Sequence, residues 1–226
     1  MRRILPLVLL VAAASFAAGG VIAGVGAKTW ANPDIGRSPQ EVERLQKENT
    51  DAFWARYAGW VDEQNQKQID PRAYKVTEIM ASTGAPAANL SEAVRTADLT
   101  IVGIVKSVQF RATADSVVEI QVTETLRGTS ASATIQVVQL NSLVPDRTWS
   151  SATIGVVEAT PMLYPEDRVV LILHKDLSYP GAFNVQPWTG TYRETQGQLR
   201  AVVGNPFAAT VEATSFSDFV AGLRGT

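Results

Sequence analysis

The 226-residue chain contains no cysteine. Disulfide bonds, thiolate nucleophiles and thiolate-ligated zinc are therefore excluded. The lipid-carrying cysteine of bacterial lipoproteins is excluded as well. Any core that the chain forms must be stabilised by packing and hydrogen bonds alone.

Histidine is almost as scarce, since His174 is the only one. One histidine cannot build a His-rich metal site, and the motifs H-E-x-x-H, G-x-S-x-G and D-x-D-x-D-G are all missing. A Ser/His/Asp site using His174 stays open, but no serine is singled out. Acidic pairs such as Glu166-Asp167 are typical of solvated turns rather than of paired glycosidase carboxylates. We therefore expect a protein without catalytic residues, metal or cofactor, with a hydrolase of unrecognised type as a less favoured alternative.

Basic charge is not concentrated anywhere in the chain. Lys and Arg number 20 against 22 Asp and Glu, which gives a net charge of −2. The chain therefore has no basic field that would attract nucleic acid. Hydrophobic residues make up 46% of the chain and charged residues 19%, a composition that favours a packed globular core.

The N-terminus carries a long apolar run. Residues 4–27 include no charged residue and follow two arginines. At roughly 24 residues, the run is long enough to cross a membrane as a helix. The alternative is a cleaved signal peptide whose apolar core is the first half of the run. We favour the retained anchor; residues 1–27 are thus a signal anchor or a signal peptide, and 28–37 are a linker.

This interpretation has consequences for location. With the two arginines inside, the rest of the chain lies outside the cytoplasm, either in a single-pass protein of the cell membrane or in a protein secreted after cleavage. Gly20 and Gly24 form a GxxxG pair, a candidate for close packing of two transmembrane helices. We expect the membrane to be a partner through this helix, and the oligomeric state stays open.

A long amphipathic helix is predicted for residues 38–68. Ser38, Pro39 and Glu41 form a capping box with proline at the first helical position. From there an apolar stripe recurs at helical spacing, and its later half is aromatic. The candidate interface residues of this helix are Phe53, Trp54, Tyr57 and Trp60. They either pack against the following domain or dock onto a membrane partner.

The remaining residues have the pattern of a small β domain. Residues 69–88 are interrupted by proline and glycine, which predicts an irregular connector. Asn89 caps a short helix, and after Asp98 the hydrophobic period changes to two. Ser215 caps a final short helix. We therefore predict a mainly β fold over residues 89–226, a small antiparallel barrel with short flanking helices. We expect it to fold from about Asp70 without the long helix.

Four segments of this domain carry a resemblance: TADLTIVGIVKSV, VTETLRG, YPEDRVVLIL and QGQLRAV. In this order they resemble an uncharacterised group of exported bacterial β-barrel domains. The wider architecture is similar to the OB-like barrel of netrin and metalloproteinase-inhibitor domains. The resemblance implies an OB-like barrel in which Gly103 lies at a strand bend and Gly128 closes a hairpin. This chain departs from the pattern at Arg127, Glu166 and Leu199. It also lacks the N-terminal cysteine with which metalloproteinase inhibitors reach zinc, so such inhibition is not implied.

Two functional classes follow from these features. In the first, the barrel is an extracytoplasmic interaction module that binds a protein or a cell-wall polymer without catalysis. Its candidate binding surface is aromatic, because turn residues surround Trp149, Trp188 and Tyr192. Plugging of the barrel ends is the alternative role for these side chains. In the second class, the chain is a structural accessory subunit of a membrane protein complex, with contacts made by the anchor and the long helix. We favour the first class.

Overall fold

The computed structural model describes residues 38–79, 85–130, 132–157, 159–202 and 204–224. The predicted anchor with Gly20 and Gly24, and the linker at 28–37, lie outside these residues. Within the described ranges, no helix combines the length and the apolarity that a membrane span requires.

Helix α1 spans Pro39–Gln66, as the sequence predicts. The Ser38 Oγ accepts a hydrogen bond from the Glu41 N–H at 3.2 Å, so the predicted N-cap is confirmed. The chain divides within this helix into two compact units, one ending at Ala52 and the other formed by Phe53–Thr226. In the first unit, exposed i,i+4 ion pairs such as Lys47–Asp51 at 2.7 Å stabilise the helix only slightly.

The second unit is built on a closed barrel of five strands. Its strands are β2 (Leu99–Phe110), β3 (Ser116–Arg127), β4 (Thr134–Gln139), β7 (Arg168–Lys175) and β8 (Phe183–Val185). They pair in the ring β7-β2-β3-β4-β8-β7, in which only β4 and β8 are parallel. The predicted fold class is confirmed: the chain is mainly β, with a small OB-like barrel preceded by a long helix.

Two glycines allow this barrel to bend and turn. Gly103 lies at a register shift in the β2–β3 ladder, and a Cβ there would stand 2.5 Å from the Ile120 Cγ2. Gly128 follows β3 at a φ of +81°, where a side chain would collide with the Asp98 carbonyl. Gly103 is thus at an irregular point of β2, and Gly128 lies in the β3–β4 connection.

The described residues form five further strands outside the barrel. A three-stranded sheet has the order β1-β6-β5 and consists of β1 (Lys75–Ile79), β6 (Ala152–Val157) and β5 (Ser142–Pro145). The hairpin of β9 (Thr191–Thr195) and β10 (Gln198–Ala201) extends the barrel sheet beyond β7. Strand β1 falls in the predicted irregular connector. The sequence did not indicate it, because four of its five residues are exposed and show no apolar alternation.

Short helices flank the barrel as predicted. They are α2 (Leu90–Thr96), α3 (Ala208–Glu212) and α4 (Phe216–Leu223), and a 3-10 turn spans Pro71–Ala73. The Asn89 Oδ1 accepts from the Glu92 N–H at 2.7 Å, and the Ser215 Oγ accepts from the Asp218 N–H at 3.1 Å. Both predicted caps are therefore formed.

The part of α1 that begins at Phe53 belongs to the core. Tyr57, Trp60 and Val61 are buried against β5 and β6, and the Tyr57 hydroxyl donates to the Leu143 carbonyl at 2.7 Å. Asn65 exchanges two hydrogen bonds with the backbone of Phe110 at the end of β2. A barrel domain that folds without this helix is therefore no longer expected, because removal of the helix would expose one of three apolar clusters.

We expect Trp60→Ala to lower the free energy of unfolding by about 3–5 kcal/mol, the usual result of emptying a buried tryptophan site. The neighbouring Gly59→Ala is a matched control on the exposed face, where an added Cβ meets no atom within 4 Å. Its higher helix propensity should stabilise the protein by about 0.5–1 kcal/mol. Urea unfolding measures both effects. A Trp60→Ala protein as stable as the parent would show that α1 is not part of the core.

Candidate interaction site at the end of the barrel

Two loops that connect strands of the barrel contact each other. The β2–β3 loop comprises residues 111–115, and the β7–β8 loop comprises residues 176–182. Phe183 at the start of β8 pairs with Val137 of β4, and Val137 pairs with Val118 near the start of β3, so the residues that precede these two strands come close together. The Tyr179 hydroxyl accordingly donates a hydrogen bond to the Asp115 Oδ2 at 3.2 Å.

Asp115 is the centre of this junction and is buried. The Arg111 Nε and Nη2 donate to its two carboxylate oxygens at 2.5 and 2.7 Å, and the Thr113 hydroxyl donates to Oδ1 at 2.9 Å. The Arg111 guanidinium also lies 4.0 Å from the Tyr179 ring centroid, a cation–π contact. One aspartate thus joins both loops through a bidentate ion pair and a tyrosine hydroxyl.

The β7–β8 loop is also fixed by hydrogen bonds of its own. The Asp176 Oδ1 accepts from the N–H groups of Ser178 and Tyr179, at 2.6 and 3.0 Å. The Asp176 N–H donates to the Ala182 carbonyl at 3.0 Å, which closes the base of the loop. Gly181 takes a φ of +90°, which a residue with a side chain adopts only with strain.

Two leucines are exposed at this end of the barrel. Leu177 lies in the β7–β8 loop with 96% of its surface accessible to solvent, and Leu140 is 54% accessible. Leu140 follows Gln139, which pairs with Ser116 beside Asp115. We call Leu140, Leu177 and the Arg111–Asp115–Tyr179 contacts the loop-end surface. Full burial of one leucine side chain is worth about 1.5–3 kcal/mol, so this surface can gain free energy on binding.

Trp149 lies elsewhere, in the β5–β6 loop, and packs against the aromatic residues of α1. Its ring centroid is 5.7 Å from those of Phe53 and Trp60 and 6.5 Å from that of Tyr57. The Trp60 Nε1–H donates to the Trp149 carbonyl at 3.1 Å. The predicted helix interface and the first predicted binding tryptophan are therefore packed against each other. Trp54, which is half-buried, joins the same cluster through edge contacts with Phe53 and Tyr57.

The β5–β6 loop holds Trp149 in a left-handed backbone conformation, with a φ of +63°. Desolvation opposes the charged form of Asp146, but it is outweighed by hydrogen bonds from the Ser150 N–H and from the hydroxyls of Ser151, Ser150 and Thr148. These bonds hold the pKa of the Asp146 carboxyl well below its usual value. The carboxylate thus stays ionised and organises the loop that presents Trp149 to the helix.

Tyr192 was wrongly assigned to a binding surface. It is fully buried on β9, pairs with Val170 of β7, and its ring centroid is 4.8 Å from that of Phe219 in α4. Burial raises the pKa of its hydroxyl to about 12. The assignment failed because the turn residues before Tyr192 indicated exposure, whereas the strand alternation turns its side chain toward α4.

Trp188, the third residue of the predicted surface, is half-buried in the segment between β8 and β9. Its ring covers Gly204, where an added Cβ would stand 2.7 Å from the Trp188 Cζ3. The Trp188 N–H donates to the Ala159 carbonyl at 2.8 Å, which fixes its backbone at a φ of +64°. Its principal contacts are therefore within the chain.

His174 is the last but one residue of β7, and its side chain lies between Gln186 and Asp98. Its Nε2 is 2.5 Å from the Gln186 Oε1, and its Nδ1 is 3.8 Å from the Asp98 Oδ2. The described hydrogen bonds of His174 include none to a serine. Among the residues that the structure describes, no group of three or more His, Asp or Glu side chains is placed to hold a metal ion.

A polar cleft of about 550 Å³ opens on the side of the barrel beside α4. Arg224 forms a bidentate pair with Glu124 at 2.6 and 2.8 Å, and Arg168 pairs with Glu194 at 2.8 Å. Each guanidinium in the cleft is therefore already neutralised by a carboxylate, which leaves no unbalanced charge to attract an ionic ligand.

The chain matches no known family model and no curated protein. The resemblance to exported bacterial barrel domains therefore stays a prediction. Reasoning from the sequence also missed the loop-end surface. The segments RATAD and DLSYPG carry most of its residues, and nothing local to either segment shows that they meet.

We expect Asp115→Ala to release the β7–β8 loop. The change leaves Arg111 without its partner and should lower the free energy of unfolding by about 2–3 kcal/mol, since the pair is largely buried. Tyr179→Phe removes only one hydrogen bond and should cost about 1 kcal/mol. Urea unfolding measures stability, and NMR order parameters of the Leu177 amide measure loop motion. An equally ordered loop in Asp115→Ala would contradict the role assigned to Asp115.

Proposed function

We propose that the protein is a non-catalytic interaction module that binds a protein partner through the loop-end surface. The observation that carries the proposal is Leu177, a large apolar side chain that is 96% exposed in a loop fixed by hydrogen bonds. A rigid loop loses little conformational entropy on binding, so most of the gain from burying Leu177 is available as affinity.

The chemistry of this surface favours a protein over the other ligands considered. Two leucines surrounded by charged and polar groups match a small apolar pocket with a polar rim, as protein interfaces have. A carbohydrate polymer would be expected to stack on an aromatic ring, but Arg111 covers one face of Tyr179. The net charge of −2 argues against nucleic acid.

The polar groups of the surface favour a structural role over a catalytic one. The Asp115 carboxylate accepts hydrogen bonds from Arg111, Thr113 and Tyr179. A group that is bonded to this extent is poorly placed to accept a proton from a substrate. This supports binding without chemistry as the function of the site.

The helix-mediated alternative, a structural accessory subunit of a membrane complex, has less support. Phe53, Tyr57 and Trp60 already contact Trp149, so much of their surface is used within the chain. We keep the extracytoplasmic, membrane-anchored location as part of the proposal, on the evidence of the uncharged residues 4–27.

Site-specific photocrosslinking tests this proposal. A photoreactive amino acid at position 177 of the full-length protein should give one discrete crosslinked product in cells, and position 140 should give the same product. Position 69 is a matched control, since Ile69 is an exposed apolar residue at 41% accessibility outside the barrel end. No product from 177 and 140, or the same product from 69, would refute the assigned surface.

Once the crosslinked partner is identified, Leu177→Ala should weaken its binding about tenfold or more, because several buried methyl and methylene groups are lost. The free energy of unfolding should change by less than about 0.5 kcal/mol, since the side chain is exposed. The control Ile69→Ala should leave the affinity unchanged. Equal affinities of the Leu177→Ala and parent proteins, measured by calorimetry, would contradict the proposal.

A further inference from the structure

Strand β1 forms an open edge of the three-stranded sheet. The order β1-β6-β5 places it at the border, and none of the described residues pairs with its outer side. Lys75, Val76, Thr77 and Glu78 are all exposed. The N–H and C=O groups that point outward from such a strand can form a β ladder with another strand.

This edge also carries an exposed apolar side chain, that of Val76. It pairs with Ile154 of β6, which is completely buried, so their side chains lie on the same face of the sheet. Val76 itself is 45% exposed. The apolar cluster under the sheet therefore ends at Val76, whose side chain is partly exposed at the border of the sheet. A strand that pairs with β1 would cover this side chain.

The sequence of β1 selects one way to pair with a second copy of itself. In an antiparallel pair, two directly opposed residues either both point their N–H and C=O groups toward the partner strand or both point them away from it. For two identical strands the two-fold axis must therefore pass through a pair of identical residues. The possible centres are the five residues of the strand, Lys75 to Ile79.

Four of these centres either place incompatible side chains opposite each other or leave most of the strand unpaired. A centre at Lys75 or at Glu78 sets like charges directly opposite each other. A centre at Thr77 sets Val76 against Glu78 of the second copy, and one at Ile79 leaves most of the strand unpaired. A centre at Val76 instead sets valine against valine, with Lys75 against Thr77 and Glu78 against Tyr74 of the second copy.

We propose that two copies of the chain associate through antiparallel pairing of β1, with the two-fold axis at Val76. Pairing joins the two three-stranded sheets into one sheet of six strands in the order β5-β6-β1-β1-β6-β5. It satisfies the open edge, covers Val76 on both copies and is the isologous geometry of most homodimers. It is independent of the loop-end surface and of the function proposed for it.

The absence of cysteine makes the register directly measurable. In the full-length protein, Val76→Cys should form a disulfide-linked dimer under a mild oxidant, because opposed Cβ atoms of such a pair are about 4.5–5.5 Å apart. Thr77→Cys should crosslink poorly alone, but a mixture of Lys75→Cys and Thr77→Cys proteins should give the mixed dimer. Ile69→Cys, exposed outside the strand, is the control for random collision.

A charge swap tests the same contact without crosslinking. Val76→Glu and Val76→Lys proteins should each self-associate about tenfold more weakly than the parent, while an equimolar mixture should recover a heterodimer. Sedimentation of the detergent-solubilised full-length chain measures this, and circular dichroism confirms that each variant is folded. The proposal is overturned if Val76→Cys crosslinks no more than Ile69→Cys. It is equally overturned if the mixture stays monomeric, or if the parent is monomeric at every concentration tested.

Discussion

The architecture depends on the closure of the barrel by β8, a strand of only three residues. Val185 pairs with Leu173 of β7 on one side, and Phe183 pairs with Val137 of β4 on the other, so β8 completes the ring that β2, β3, β4 and β7 leave open. The Gln186 N–H donates to the Ile172 carbonyl and the Asp176 N–H to the Ala182 carbonyl, which extends this closure at both ends. Without β8, the barrel would have two free edges and its apolar interior would be accessible to water. The same closure brings the β7–β8 loop close to Asp115. The fold thereby sets the position of Leu177, which this loop carries.

A second constraint acts where α1 joins the core. Burial raises the pKa of Tyr57 well above its usual value, and the negative charge of Asp115 adds a smaller effect in the same direction. The aromatic residues of α1 contact Trp149, and the Asp146 loop sets the position of Trp149. Trp60 and Trp149 thus contribute packing energy, and the most exposed large apolar side chain in the described residues is that of Leu177.

The sequence predicted the features that depend on local patterns. The caps at Ser38, Asn89 and Ser215, the long helix and the barrel class follow from residue spacing and from the change to a period of two, and all are confirmed. Contacts between distant segments were not predictable in this way. Tyr192 was placed on the surface because its neighbours are turn residues, although α4 covers it. Asp115 and Tyr179 are 64 positions apart, and only the β3–β4–β8 pairing brings them together. Strand β1 has no apolar alternation, because its border position leaves it exposed on most of its residues.

Native-state hydrogen exchange tests the closure of the barrel most directly. The amide protons of Gln186 and Asp176 bond across the β8 closure, whereas the Leu177 amide belongs to the exposed part of the loop. If β8 closes the barrel and thereby fixes the loop, the Gln186 and Asp176 amides should exchange with the same free energy as the amides of β2, through global unfolding alone. Exchange of these two amides at the rate of an unprotected loop, while β2 stays protected, would show that the barrel is open at β8. The loop-end surface would then lack the rigid support that its proposed function requires.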